Sequence, residues 1–140
     1  MNAAASDPID RPAWIELLSP DAAASRDFYS QLFGWQVEVS PDPQYGGYGI
    51  ARLNGEDVAG VGPQPSPDAV TAWALYLGTT DIDALAAKVT GAGGSVAMAP
   101  FDVGDQGRMA VFQDPTGAFF SGWESHAMRG FGTQAPNTFG

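Results

Sequence analysis

The chain repeats itself, and that repeat limits the folds open to it more than any other feature. Laid on itself at an offset of roughly sixty residues, Trp14 falls on Trp73, Asp21 on Asp81, Gly34 on Gly94, and the Asn54-Gly55 turn on the turn that begins at Asp114. The first copy opens with a short apolar strand, Pro12 to Leu18. Ser19-Pro20-Asp21 reads as a helix start: a Ser cap, a Pro in the first helical position, an acid in the first turn. Phe28, Tyr29, Leu32 and Phe33 recur at helical spacing until Gly34. Gln36 to Val39 alternates as a strand does, Tyr48 to Leu53 is a second strand, and Asn54-Gly55 turns it back into Val58 to Gly62.

The second copy follows a Gly62–Asp68 stretch that holds three prolines. Ala72 to Leu77 reads as a strand, and Thr80-Asp81-Ile82-Asp83 as a capping box for a helix through Val89, stopped by Gly91 to Gly94. Ser95 to Met98, Arg108 to Gln113 and Ala118 to Glu124 are the remaining strands, the last two joined by Asp114-Pro115-Thr116-Gly117. Two β-α-β-β-β units in succession predict an α+β domain of eight strands and two main helices. Its expected bounds are a flexible leader at 1–11, a domain at 12–125 (modules 12–62 and 71–125, linker 63–70), and a tail or truncated interdomain linker at 126–140.

Composition narrows the function. With 140 residues and 44% apolar content, one hydrophobic core is expected. There is no cysteine, so thiolate metal sites and disulfides are excluded. The net charge of -10, with six Lys and Arg in all, repels nucleic-acid phosphates and anionic membranes. No apolar run reaches membrane-span length, and residues 1–10 lack the basic and apolar regions of a secretion signal, so a cytoplasmic location is expected. Gly91-Ala92-Gly93-Gly94 follows a helix instead of opening one, which rules out a dinucleotide fingerprint. The single histidine, His126, leaves no basis for a Ser-His-Asp set.

Specific residues then carry a resemblance. Trp14-x-Glu16-Leu17-x-x-Pro20-Asp21, followed by Phe28-Tyr29-x-x-Leu32-Phe33-Gly34-Trp35, resembles the first module of the vicinal oxygen chelate proteins, the glyoxalase/bleomycin resistance/dioxygenase superfamily. Asp114-Pro115-x-Gly117 with its alternating strand resembles that family's last hairpin. The likeness spans roughly residues 12–125 and is nearest to the tandem-domain bacterial branch labelled hydroxylase or antigen. Residues 134–140 resemble the linker that precedes a second domain there, so the chain is either a single-domain relative or half of something longer.

The resemblance implies paired βαβββ modules and a cavity where four His, Glu or Gln side chains hold a divalent ion. Carried over position by position, those places fall on Trp14, on Ala59 or Gly60, on Trp73 or Ala74, and on Ser121. None is a good donor for such an ion, so no metal or other cofactor is expected.

Alternation puts Trp14, Glu16 and Leu18 on one face of their strand and Phe119, Ser121 and Trp123 on one face of theirs. The expected ligand-binding set is therefore Trp14, Trp73, Tyr76, Phe119, Ser121 and Trp123, suited to a small aromatic or apolar metabolite or antibiotic. Glu16 is the candidate catalytic base, set against the plainer role of bonding a neighbouring strand or Arg52. For Arg52 and Arg108 the choice is an anionic substrate group or a surface salt bridge. For Asp105 and Gln106 it is a cavity lip or a plain loop, and Asp114 shapes its turn. Metal-free binding is the first expectation. The alternatives are a lyase, isomerase or cyclase using Glu16, a metal-dependent lyase, dioxygenase or thiol transferase, and a structural or interaction module whose cavity is closed. A homodimer is expected, as the superfamily pairs its domains.

Overall fold

The computed structural model describes residues 10–132 and Thr138; the expected leader at 1–9 and residues 133–137, 139 and 140 of the expected tail lie outside the described residues. The elements run β1 (Pro12–Ser19), α1 (Ala22–Phe33), β2 (Gln36–Val39), a single 3-10 turn (Pro43–Tyr45), β3 (Gly49–Leu53), β4 (Glu56–Pro63), β5 (Ala72–Thr79), α2 (Ile82–Gly91), β6 (Ser95–Val103), β7 (Gly107–Gln113) and β8 (Phe119–Ser125). This is the α+β fold of two βαβββ modules, eight strands and two helices.

The chain resolves into two compact units. One holds Trp14–Ala74 with the described residues from Phe131 onward, and the other Leu75–Gly130 with the described residues before Trp14.

In the Trp14–Ala74 unit the strands lie in the order β2-β3-β4-β1. β1 runs parallel to β4, with Glu16 opposite Gly60. Asn54 and Gly55 both have positive φ, at 54° and 82°, which is the mirror-image turn that matches strand twist in a two-residue hairpin. Trp35, Ala51, Val58 and Ala59 form the core under α1, packed by Ile15, Tyr29, Phe33, Val37, Leu53 and Trp73. α1 ends at Gly34, whose φ of 76° places its N–H on Ser30 O.

In the Leu75–Gly130 unit the order is β5-β8-β7-β6. β5 runs parallel to β8, with Tyr76 opposite Ser121. Ile82, Ala110 and Phe112 are the core beneath α2, joined by Leu85, Ala86, Val89 and Phe120. Gly122 lies under the helix because a side chain there would meet Ile82 Cδ1 at 2.6 Å and Leu85 Cδ2 at 2.9 Å.

Both helix starts sit two residues later than Ser19 and one later than Thr80 would give, for one shared reason. Asp21 and Asp81 are the caps, each accepting through Oδ1 from the N–H three residues on at 3.0 Å. The hydroxyls of Ser19 and Thr79 accept from the N–H of those aspartates, at 3.1 and 3.2 Å. The capping device is therefore repeated, hydroxyl-x-Asp, at both starts. The expected capping-box role of Asp83 is replaced by an ion pair with Arg108 at 2.7 Å. Glu124 Oε1 instead accepts from Ile82 N at 3.0 Å.

The expected tail is partly tied down. His126 and Met128 donate through their N–H groups to Gln106 O, and Ala127 to Asp105 O, so the loop Asp105–Gln106 serves as an anchor for residues 126–128. Gly132 N donates to Asp57 O at 2.7 Å.

Candidate functional site

Each unit turns one sheet face to its helix, and register settles which side chains share the other face. In the Trp14–Ala74 unit, Ile15 packs under α1, so its neighbours Trp14 and Glu16 point the other way. Trp14 is buried and donates through Nε1 to the Tyr48 hydroxyl at 2.8 Å. The Tyr48 phenol lies over Gly60 and Gly62: a Cβ on Gly60 would fall inside the phenol, and one on Gly62 would meet Tyr48 Cδ2 at 3.1 Å. Phe131 rests on Trp14 with ring centroids 5.7 Å apart. Glu16, only 9% exposed, is in register with Gly60 of this covered strand. The face that the sequence assigns to a ligand is thus covered here by Tyr48 and Phe131.

Trp73 is on the opposite face. It packs against the core under α1, donates through Nε1 to the Tyr29 hydroxyl at 3.1 Å, and meets the rings of Tyr29 and Trp35 edge-on. The structure therefore does not bring Trp73 together with Trp14. The strand pairings explain why the sequence leaves this open. Glu16 faces Gly60 in one unit and Tyr76 faces Ser121 in the other, so Trp14 corresponds to Ala74, and Trp73 takes the helix side. Trp73, Tyr29, Phe28, Leu17, Ser25 and Thr71 line an open cleft of about 390 Å³ beside α1.

In the Leu75–Gly130 unit, Ala110 and Phe112 lie under α2, so Met109 and Val111 face away from it. Their partners across the ladder are Trp123 and Ser121 on β8, and Phe101 and Met98 on β6; Phe119 pairs with Gln113 on the same side. Tyr76 completes the row beside Ser121. The structure thus gathers Tyr76, Phe119, Ser121 and Trp123 on one face and adds Met98, Phe101, Met109 and Val111.

That face is graded. Tyr76, Ser121 and Trp123 are buried, whereas Phe101 is 39%, Met98 49% and Phe119 64% exposed. Trp123 donates through Nε1 to Met128 O at 2.8 Å and lies across Gly107, where a side chain would strike its ring. The rings of Tyr76 and Trp123 meet edge-on at 6.5 Å, and the Tyr76 hydroxyl lies 3.8 Å from Met109 Sδ. The floor is buried aromatic surface with two hydroxyls; the rim is methionine and phenylalanine exposed to solvent.

No sequence pattern marks Met98 and Phe101, because β6 carries two register shifts, between Val96 and Met98 and between Met98 and Phe101. Strict alternation would place residues 98 and 101 on opposite faces; the bulge puts both on one.

Arg52, Arg108, Asp114 and His126 each have partners within the chain. Arg52 bonds Asp57 and Glu38 at 2.8 and 2.9 Å, and the Asp57 bond is the first cause of its raised pKa. Arg108 joins Asp83 and Asp102 on the exposed side, with Asp83 foremost in raising its pKa. Asp114 is held below the usual carboxylate range chiefly by the Thr116 hydroxyl and then by backbone N–H groups of its turn. His126 Nε2 lies 3.1 Å from Glu124 Oε2.

By register, the four positions carried over from metal-holding relatives are Trp14, Gly60, Ala74 and Ser121, which together offer one neutral hydroxyl. Among the described residues no three His, Cys, Asp or Glu side chains cluster as a metal site. That donor set does not fit a divalent ion. Among the described residues, no helix is long and apolar enough to cross a membrane.

Comparison with known proteins places these features in context. The profile of the Glyoxalase/Bleomycin resistance protein/Dioxygenase superfamily matches residues 11–121. The anthracycline biosynthesis proteins DauV of Streptomyces sp. (strain C5) and DnrV of Streptomyces peucetius are each 45% identical, over 85% of this chain and 48% of theirs. CFP32 of Mycobacterium tuberculosis, named as a candidate glyoxylase, is 42% identical over 82% of this chain and 46% of its own. The chain thus spans about half the length of these relatives. Among solved structures, a methylmalonyl-CoA epimerase in complex with methylmalonyl-CoA and NH4+ superposes with a TM-score of 0.62 at 19% identity, covering 87% of this chain and 99% of its own. The Mn(II)-bound glyoxalase of Novosphingobium aromaticivorans gives 0.61 at 19%, covering 91% and 42%. At that identity the two speak for the fold alone.

Proposed function

This chain belongs to the Glyoxalase/Bleomycin resistance protein/Dioxygenase superfamily, and from that premise we propose that it binds a flat, largely apolar small molecule without a metal, on the open face of β6, β7 and β8. The observation that carries this is the exposure of Met98, Phe101 and Phe119 over a buried floor of Tyr76, Ser121 and Trp123. Contiguous exposed apolar side chains mark binding surfaces. Aromatic faces give a flat ligand stacking area, and methionines adapt to its outline. The hydroxyls of Tyr76 and Ser121 are the polar atoms that would orient it. The names of DauV and DnrV support an anthracycline-like aromatic as the ligand class. Cytoplasmic location and pairing with a second domain, as a homodimer or in tandem, belong to the same proposal.

Titration of the protein with an anthracycline, followed by tryptophan fluorescence, tests it. A ligand of that size bound on an open face is expected at roughly micromolar Kd. Phe119→Ala and Met98→Ala should each weaken binding about three- to tenfold. Affinity unchanged in the double variant would place the ligand elsewhere and end the proposal.

A second reading rests on Glu16, a carboxylate buried on the face of Trp14. There it would act as a general base in a lyase, isomerase or cyclase reaction. Glu16→Gln should then abolish turnover and spare binding; full activity in that variant excludes the role.

A further inference from the structure

The sequence Gly130-Phe131-Gly132 reads as linker, yet it is built into the fold as a fixed strap. Gly130 has a φ of 123° and passes so close to Ala13 that a side chain there would collide with the Ala13 carbonyl. At Gly132 a Cβ would lie 2.7 Å from Glu56 Oε2 and 2.9 Å from Asp57 N, and its own N–H donates to Asp57 O at 2.7 Å. On either side of Phe131, then, the backbone approaches a strand more closely than any residue with a side chain allows. Upstream, Met128 O accepts from Trp123 Nε1 at 2.8 Å and Arg129 O from the Ser125 hydroxyl at 3.3 Å. The single apolar side chain between the two glycines is delivered onto Trp14, at 5.7 Å between ring centroids and a tilt of 37°.

Trp14 itself is fixed from the other side. Its Nε1 is committed to Tyr48, whose phenol lies over Gly60. The platform is therefore set independently of Phe131. Two glycines in one strand leave room for Tyr48, and two glycines around Phe131 bring the ring to Trp14.

We propose that the face of β1 and β4 turned away from α1 carries a subsite for one aromatic ring, with Trp14 as its platform, and that the chain occupies it with Phe131. A small aromatic molecule would bind there only by displacing the strap. The proposal is argued from β1, β4 and residues 130–132 alone and does not depend on the function proposed above. The chemistry that would recognise the site is an uncharged six-membered ring; the self-supplied phenylalanine defines its size and polarity.

The 140-residue chain, labelled with 15N, tests this using fluorobenzene as the probe. Trp14 is identified among the four indole N–H signals by the Trp14→Phe variant. In the wild-type protein, a nuclear Overhauser contact between the Phe131 ring and the Trp14 indole is expected; its absence would overturn the proposal outright. In Phe131→Ala, fluorobenzene should shift the Trp14 indole signal saturably, with Kd on the order of 1 mM, and at least tenfold more tightly than in wild type. Gly132→Ala retains the phenylalanine but forces the strap away from Asp57, so it should open the same subsite. If Phe131→Ala does not fold, Phe131→Leu and Gly132→Ala carry the comparison. A folded variant with the ring removed or displaced that binds fluorobenzene no better than wild type contradicts the proposal.

Discussion

Gly60→Ala is the most informative single change. The added methyl would fall inside the phenol of Tyr48, so either Tyr48 leaves or the β3–β4 ladder shifts. If Tyr48 leaves, the buried indole N–H of Trp14 loses its 2.8 Å acceptor, a loss of about 1–3 kcal/mol. Returning most of a half-buried phenol to water costs about 1–2 kcal/mol more. Against this, alanine is better than glycine in a strand by about 0.5–1 kcal/mol. The net expectation is a destabilisation of about 2–4 kcal/mol, or roughly 10 °C in Tm for a chain of this length. Urea unfolding followed by tryptophan fluorescence measures it. Gly62→Ala, whose methyl meets Tyr48 at 3.1 Å and needs only a small adjustment, should cost less than half as much. The decisive control is the Tyr48→Ala background, where Gly60→Ala should be neutral or mildly stabilising. A cost there equal to that in the wild-type background would refute the assignment of Gly60 to Tyr48.

Three further expectations follow from the same packing. Trp73→Phe removes the hydrogen bond to Tyr29 and should lower stability by about 1 kcal/mol while leaving anthracycline affinity unchanged, since Trp73 lies under α1; both are read from one titration series. Phe112→Ala empties the core beneath α2 and should cost about 3–5 kcal/mol in denaturant unfolding. Asp114→Asn mimics the uncharged acid. Because the folded pKa of Asp114 is lowered, first by the Thr116 hydroxyl, its stabilisation is present above the ordinary carboxylate range and is lost as pH falls through the lowered value. The Tm difference between wild type and Asp114→Asn should therefore be present at pH 7 and shrink with acid; a difference that grows with acid would reverse the sign of the linkage.

Much of the fold was legible because local chemistry dictates it. Asn54-Gly55 and Gly34 demand positive φ, and Asp21 and Asp81 recur at the same place before each helix, so turns and helix ends could be read directly. The caps were misplaced by one or two residues. A hydroxyl and an aspartate two apart both compete for helix N–H groups, and only three-dimensional geometry shows that the hydroxyl serves the aspartate.

The candidate face was half legible. Phe119, Ser121 and Trp123 follow from alternation in one regular strand, whereas only the pairing of β5 with β8 sets Tyr76 beside Ser121. Trp73 was not separable from Ala74, because the repeat carries one extra residue and a one-residue slip reverses the face. Met98 and Phe101 were hidden by two bulges in β6. Tyr48 and Phe131 were invisible because what places them is the absence of side chains at Gly60, Gly62, Gly130 and Gly132. A glycine in sequence does not say which ring fills the space it leaves.

The most direct test of the central claim is the affinity of the protein for an anthracycline measured before and after exhaustive treatment with a chelator. Binding by Met98, Phe101, Phe119 and Trp123 predicts the same Kd in both, and no gain on adding manganese or zinc. Affinity that vanishes on chelation and returns with a divalent ion would contradict it.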